Sequence, residues 1–307
     1  MLSFGILGGA SSSLIWTSSI ATVGHWFLDR RGLATGLATT AGPVGGVVFP
    51  LVIQKLIPAI GFAWAVRVIG FICLGLGLVG ISLMKTRLPP DRSVKRAFNL
   101  RGFKDIRFIL TILAMFAIDW AVLIPPAYLT TYALAKGVNS SLSYQLLVIL
   151  NTTQIFGRAL PGLIADRWGR FNTMILSSLA CTIAILALWL RAGSNVGAII
   201  GFAALYGLFS GTAYSLTPVC VSQLCETEEY ASRYGTAYGF ISIATLAGIP
   251  ASGAILGGGG GGGGSGQDDG EGFRGLILTC GMAYLASTVL FTLARGVGGG
   301  WKVQKVY

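Results

Sequence analysis

Long apolar stretches separated by short polar connectors constrain the fold of this 307-residue chain more than any other feature. About 20 apolar residues are needed to cross about 30 Å of hydrocarbon, and a segment in lipid must satisfy its own backbone polar groups, which favours helices. Charged residues make up only 11% of the chain, against about 25% in soluble domains. The sequence therefore predicts an all-α, polytopic membrane protein. The nine predicted spans are residues 4–26, 35–57, 64–84, 108–132, 143–163, 172–191, 197–221, 235–256 and 274–294.

Positive charge alternates along the chain in step with these spans. Of the 22 lysines and arginines, 17 lie on one set of alternate connectors and on the C-terminal tail. Lysine and arginine accumulate on the cytoplasmic side of membrane proteins, so the C-terminus is predicted to be cytoplasmic and, with nine spans, Met1 to be outside. A surface for nucleic acid would not alternate in this way. The net charge of +11 is therefore attributed to topology and no nucleic-acid partner is expected.

The longest basic connector divides the chain into two unequal groups of spans. It covers residues 85–107 and contains the breaker pair Pro89-Pro90. Residues 1–84 precede it with three spans, and residues 108–294 follow it with six. A glycine-rich segment at 257–272 is predicted to be a flexible outer loop, and residues 295–307 form a cytoplasmic tail.

Glycines recur along the second and seventh spans. Small residues let helix backbones approach closely in lipid, so these glycines predict tightly packed helices, which favours a transporter over a simple anchor. They are Gly32, Gly36, Gly42, Gly45, Gly46, Gly201, Gly207 and Gly211.

Two charged junctions carry a resemblance to a known family. The pattern Gly157-Arg158-x-x-x-Gly162-x-x-Ala165-Asp166-Arg167-x-Gly169-Arg170 resembles the signature loop between helices 8 and 9 of the major facilitator superfamily. The stretch from Trp26 to Gly36 is similar to the helix 4–5 junction of its monocarboxylate-transporter-like branch, which includes fungal monocarboxylate and riboflavin permeases. The resemblance implies a twelve-helix fold, so the nine spans correspond to helices 4 to 12, and helices 1 to 3 are lacking from an N-terminally truncated chain.

The same resemblance implies a function. Members of this family move small organic solutes by alternating access, so we expect a secondary-active or facilitative transporter, with a monocarboxylate-like anion or a riboflavin-like compound as substrate. The plasma membrane is the expected location. The rival hypothesis is a truncated membrane paralogue that does not transport and acts by association or is inactive.

Asp119 is the first candidate for the substrate pathway. It lies twelve residues beyond Arg107, which places it about 18 Å along a helix and near the membrane midplane. An ionisable group at that depth is costly and is often functional. The alternative is a structural carboxylate that pairs with a neighbouring helix.

A polar stripe on the fifth span gives three more candidates. Asn151, Gln154 and Arg158 are spaced to share one helix face, and a guanidinium at the end of such a stripe suits a carboxylate substrate. The alternative is that Arg158 snorkels at the membrane edge. Animal monocarboxylate carriers resemble this stripe but have an aspartate at the position of Gln154. Because Gln154 cannot titrate, proton coupling through this pair is not expected, which leaves Asp119 as the substitute.

Family position adds Trp16, Thr17, Tyr214 and Thr217 as cavity-lining residues, with ordinary interhelical hydrogen bonding as the alternative. No nucleophile–base pair and no metal-ligand spacing is found in the sequence. The chain is therefore not expected to be an enzyme or to carry a cofactor or metal. Its expected partners are a small-molecule substrate and membrane lipid.

The charged stretch from Gly157 to Arg170 is predicted to be a gate. Gly162 and Gly169 are expected to permit a tight reversal between helices. Asp166 is expected to meet neighbouring arginines and the N-terminus of the helix that begins near Arg31. The residues assigned to this gate are Gly157, Gly162, Asp166, Arg167, Gly169, Arg170, Arg30 and Arg31.

Overall fold

The computed structural model describes residues 2–27, 30–85, 100–225, 229–258 and 268–299. The helices in these ranges are α1 (Leu2–Trp26), α2 (Arg31–Thr39), α3 (Ala41–Leu83), α4 (Ile106–Val122), α5 (Ile124–Ala135), α6 (Ser140–Trp168), α7 (Arg170–Ile183), α8 (Leu190–Ala192), α9 (Val196–Gln223), α10 (Tyr230–Gly258) and α11 (Asp268–Gly299). A 3₁₀ turn at Leu100–Lys104 precedes α4, and a π-helical stretch at Ala184–Trp189 joins α7 to α8. Most of the basic connector, the centre of the glycine-rich segment, Leu28, Asp29 and residues 300–307 lie outside the described residues.

Eight helical segments within the described ranges are long and apolar enough to cross a membrane, which confirms the all-α membrane fold. The sequence predicts nine spans, and the count is eight because two of them form one helical segment of 53 residues, Arg31–Leu83. At 1.5 Å per residue it is about 80 Å long, more than twice the hydrocarbon thickness. It breaks at Gly61, whose φ of 77° is a conformation that glycine adopts without strain. The predicted spans 35–57 and 64–84 lie on either side of this break.

The predicted span 108–132 is two helices rather than one. The α4 helix ends at Val122, and Pro125 and Pro126 occupy the first turn of α5. Proline has no N–H, so the carbonyls four residues earlier, those of Ala121 and Val122, lose their helical donors. Side chains from other helices replace them.

Two donors reach these freed carbonyls. The hydroxyl of Tyr206 on α9 donates to Val122 O at 3.0 Å, and the thiol of Cys280 on α11 donates to Ala121 O at 3.5 Å. The break in α4–α5 is therefore stabilised by hydrogen bonds from two neighbouring helices.

Helix α6 lies at the centre of the packing, between α2 and α9. A Cβ on Gly36 of α2 would overlap the carbonyl oxygen of Arg158 on α6. On the other face, a Cβ on Gly211 of α9 would lie 2.7 Å from the carbonyl carbon of Gly157. The predicted close approach therefore occurs at most of the glycines named above. The exceptions are Gly201, which faces open space, and Gly45, which meets only Phe49 of its own helix.

The helix ends that the sequence places on one side of the membrane contact each other. The indole of Trp26 at the end of α1 donates to Lys85 O beyond α3, at 2.9 Å. Near the start of α10, Arg233 donates to Leu224 O at the end of α9, at 3.1 Å, and lies over the ring of Phe108 on α4. These contacts agree with the alternation of the predicted spans.

Candidate functional site

A cavity of about 930 Å³ lies between α1, α4 and α10, a size typical of small-molecule sites. Because α1 precedes the basic connector and the other two helices follow it, the cavity lies between the two groups of spans. Of the eight residues predicted to line the substrate pathway, only Asp119, Trp16 and Thr17 line it. The other lining residues are Gly9, Ser13, Gly235, Tyr238, Gly239, Ile241, Ser242, Thr245, Leu246, Ile249 and Pro250.

Asp119 is the single charged residue among these lining residues. It is half-buried, one turn before the break in α4–α5. Within the described ranges it forms no ion pair or hydrogen bond, so the alternative of a structural carboxylate paired with a neighbouring helix is not what the structure contains. Its oxygens remain available to a ligand in the cavity.

A row of tyrosines on α10 leads to the cavity, and Tyr238 at its end is a lining residue. Tyr230, Tyr234 and Tyr238 follow each other at one-turn spacing, with ring centroids 5.8 Å and 4.5 Å apart. The indole of Trp16 donates to the Tyr234 hydroxyl at 3.2 Å, which joins α1 to α10. These tyrosines are not among the site residues predicted from the sequence, although their spacing of four residues places them on one helix face.

The polar stripe on α6 faces protein rather than the cavity. Asn151 donates to Leu147 O of its own helix at 2.8 Å, and its side-chain oxygen lies against Gly46 of α3. Gln154 is buried and donates to Ser210 Oγ of α9 at 3.5 Å. The prediction that Asn151, Gln154 and Arg158 share one face is correct, but the helices that cover this face are α2, α3 and α9.

Arg158 is buried within α6, so the snorkelling alternative is wrong. Its Nη1 donates to Thr39 O at 2.6 Å and its Nη2 donates to Gln154 Oε1 at 3.4 Å. The guanidinium carbon lies 4.4 Å from the ring centroid of Tyr214, a cation–π contact. Tyr214 is thereby engaged with Arg158, and Thr217 donates to Ala213 O of its own helix.

Asp166 lies against the N-terminus of α2, as the sequence predicts. Its Oδ1 accepts from Gly32 N and its Oδ2 accepts from Leu33 N, both at 3.1 Å. A helix N-terminus carries unsatisfied N–H groups and partial positive charge. The carboxylate therefore joins α6 to α2 through two charge-assisted hydrogen bonds.

In the part of the chain that the structure describes, the arginines around this contact do not pair with Asp166. Arg31 is buried and turns toward α1, where its Nη2 donates to Gly24 O at 2.5 Å, and it lies 5.4 Å from the centroid of Tyr230. Arg30 and Arg167 are exposed, and Arg170 is half-buried. Among the described residues Asp166 forms no ion pair, so the expected contact with neighbouring arginines is wrong. The backbone of α2 replaces it.

The stretch from Gly157 to Arg170 is mostly helix, not loop. Helix α6 continues to Trp168, and the reversal occurs at Gly169, where φ is 95°. Gly162 lies inside α6, where its Cβ position is 2.8 Å from the carbonyl carbon of Gly32. Its predicted role in the reversal is therefore wrong, and it permits close packing against α2 instead.

Comparison with known proteins connects this geometry to a family. The Major Facilitator Superfamily model matches residues 1–231. An MFS-type transporter of Penicillium oxalicum is 37% identical over 302 residues, which cover 98% of this chain and 69% of the relative. A riboflavin transporter of Saccharomyces cerevisiae is 31% identical over 325 residues, covering 98% of this chain and 61% of the relative.

A third relative has a different role. An aspyridones efflux protein of Emericella nidulans is 34% identical over 258 residues, which cover 83% of this chain and 52% of the relative. The chain thus spans about half to two thirds of the length of these relatives. All three are named as transporters or efflux proteins. The family match and the membrane-spanning helices agree, and the chain belongs to the Major Facilitator Superfamily.

Proposed function

We propose that this chain carries a small organic solute across a membrane by alternating access, and that the cavity beside Asp119 is where the solute binds. The position of the cavity between the two groups of spans carries this proposal, because a site there is exposed to one side or the other as the groups rock. The named roles of the relatives support the same class of activity.

The charge of the cavity favours a riboflavin-like compound over a monocarboxylate-like anion. Asp119 is a carboxylate and repels an anion, while Arg158 is directed away from the cavity toward Thr39. Trp16 and Tyr238 offer aromatic surface for a flat ring system. Hydroxyl groups of Ser13 and Ser242 add hydrogen-bonding positions for polar substituents.

The remaining parts of the proposal concern coupling and location. Gln154 cannot carry a proton, so Asp119 is the candidate for proton coupling through this cavity. We propose the plasma membrane as the location and the cytoplasm as the side of the C-terminus, on the distribution of lysine and arginine. The division into a three-span unit, a basic connector and a six-span unit is part of the same proposal.

Solute uptake into reconstituted vesicles tests the function. Vesicles that contain the chain are expected to take up labelled riboflavin faster than empty vesicles, and lactate no faster. The variant Asp119→Asn should lower riboflavin uptake by about tenfold, the effect of losing a hydrogen bond to a charged group. Asp105→Asn is the matched control, because Asp105 caps α4 outside the cavity and asparagine caps equally well.

A second pair of variants tests the aromatic wall. Trp16→Phe removes the indole N–H that reaches Tyr234, whereas Trp64→Phe changes an exposed tryptophan on α3. Only the first is expected to reduce uptake. Riboflavin and lactate fluxes that both equal those of empty vesicles would reject transport by this chain and favour the non-transporting paralogue.

A further inference from the structure

Arg158 is a buried cation that contacts protein on several sides. It is only 6% exposed, and no carboxylate pairs with it among the described residues. Its contacts lie on three helical segments, since Thr39 ends α2, Gln154 lies on α6 and Tyr214 lies on α9. Burying a guanidinium without a counter-ion is costly, so its hydrogen bonds must offset part of that cost.

The carbonyl that Arg158 contacts has a particular need for a donor. Thr39 O would accept from the N–H of residue 43 in a continuous helix, but residue 43 is proline. The Arg158 Nη1 atom supplies the missing donor at 2.6 Å. Separation of α2 from α6 would break this hydrogen bond and exchange it for one to water.

A glycine beside Arg158 leaves room for the guanidinium to reach Thr39 O. A Cβ on Gly42 would lie 2.9 Å from Arg158 Nη1, so a larger residue there would displace the guanidinium. Arg158 lies ten residues before the end of α6, which is about 15 Å along the helix. The contact is therefore deeper in the membrane than the contact between Asp166 and α2.

We propose that Arg158 is a positioning residue that clamps the first group of spans to the second at a level deeper than the Asp166 contact. Its hydrogen bond to Thr39 O must break, together with the Asp166 contact, whenever α2 separates from α6. This inference rests on the proposed alternating access, since that mechanism requires the two groups to separate on one side. It assigns Arg158 to the control of opening and not to the binding of an anionic solute.

Alkylation of an engineered cysteine measures this opening. Thr35 is buried on α2, one turn before Thr39, and Thr35→Cys would react with a hydrophilic maleimide only when α2 is exposed to water. The five native cysteines are first replaced by serine, which keeps a donor at position 280. The rate is measured in membrane vesicles with the reagent on the side of Asp166.

Arg158→Gln is expected to raise the alkylation rate by about tenfold, the effect of losing a hydrogen bond to a charged group. Arg158→Lys keeps the charge but loses the planar stack on Tyr214, so an intermediate rate is expected. Arg191→Gln is the matched control, because Arg191 is exposed at the end of α8. An Arg158→Gln rate equal to that of this control, in folded protein, would overturn the proposal.

The variant Pro43→Ala tests the route through Thr39 O. It gives this carbonyl a helical donor, so Arg158→Gln should raise the rate less in the Pro43→Ala background than in the original one. An equal increase in both backgrounds would overturn the assignment. Pro43→Ala alone should also raise the rate, because Thr39 O then has a helical donor when α2 separates from α6. An unchanged rate in Pro43→Ala would overturn the route through Thr39 O, and this result can be obtained even if Arg158→Gln fails to fold.

The alkylation readout separates this inference from the proposed function. It reports exposure of α2 and needs no knowledge of the solute. Increased alkylation in vesicles that show no solute flux would support the clamp and reject transport. Normal flux with unchanged alkylation in Arg158→Gln would support transport and reject the clamp.

Discussion

The contact between Gly162 and α2 gives the sharpest prediction about stability. In Gly162→Ala the new Cβ would overlap the Gly32 carbonyl oxygen and lie 2.8 Å from its carbon and 3.0 Å from Leu33 Cα. These atoms belong to backbone and cannot rotate away, so α2 and α6 must separate by several tenths of an ångström. The hydrogen bonds from Gly32 N and Leu33 N to Asp166, both 3.1 Å, lie in the same contact and should lengthen.

The expected magnitude follows from a comparison with Gly201→Ala. Gly201 lies inside α9 and has nothing within 4 Å of its Cβ position, so alanine there only gains helix propensity. Because Gly162→Ala gains the same propensity, the difference between the two variants isolates the overpacking cost, about 1–3 kcal/mol. For a chain of 307 residues, a difference of about 2 kcal/mol corresponds to a melting temperature about 3 °C lower.

Thermal unfolding of both purified variants in the same detergent, followed by tryptophan fluorescence, measures this difference. The alkylation assay at Thr35→Cys should also report greater opening in Gly162→Ala than in Gly201→Ala. If Gly162→Ala melts at the same temperature as Gly201→Ala, the close approach of α2 and α6 at this level is wrong.

Three further predictions concern hydrogen bonds. Tyr206→Phe should lower the free energy of unfolding by about 1–3 kcal/mol relative to the exposed control Tyr144→Phe, because Val122 O loses its donor, and thermal unfolding of both proteins checks this. Asn195→Ala should cost about 1 kcal/mol in the same measurement, since the Asn195 side chain accepts from Ala198 N and caps α9, and no loss would contradict the cap. Asp166→Asn removes the charge at the N-terminus of α2 and should raise alkylation of Thr35→Cys by about two- to fivefold, and an unchanged rate would show that the charge contributes nothing to closure.

Much of the helical architecture follows from sequence because hydrocarbon thickness fixes the length of a span. The contact of Asp166 with α2 is predictable for a related reason, since a carboxylate and a helix N-terminus attract each other wherever the fold brings them together. Gly61 is less visible in the sequence. A single glycine between two apolar blocks can also lie within a continuous helix, and only its backbone torsion in the structure shows that the helix breaks there.

The residues that contact the polar stripe on α6 could not be predicted from the sequence. Periodicity places Asn151, Gln154 and Arg158 on one face, but it does not identify the helices that cover that face. The acceptor of Arg158 on α2 is the backbone carbonyl of Thr39. Because every residue type has a backbone carbonyl, the sequence does not show which one a side chain on another helix will contact. The tyrosines of α10 were missed for the opposite reason, because aromatic residues at helical spacing are common in any buried helix.

The two prolines at the start of α5 determine which side chains are needed on the neighbouring helices. Tyr206 and Cys280 are required as donors only while Pro125 and Pro126 remove the donors of α5. Replacement of Pro126 by alanine would restore an N–H for Val122 O and reduce the cost of phenylalanine at position 206, which would still remove the hydrogen bond between the Tyr206 and Tyr284 hydroxyls. The sequence of α9 thus depends on a choice made in α5, so the order in which such substitutions arise decides which of them the protein tolerates.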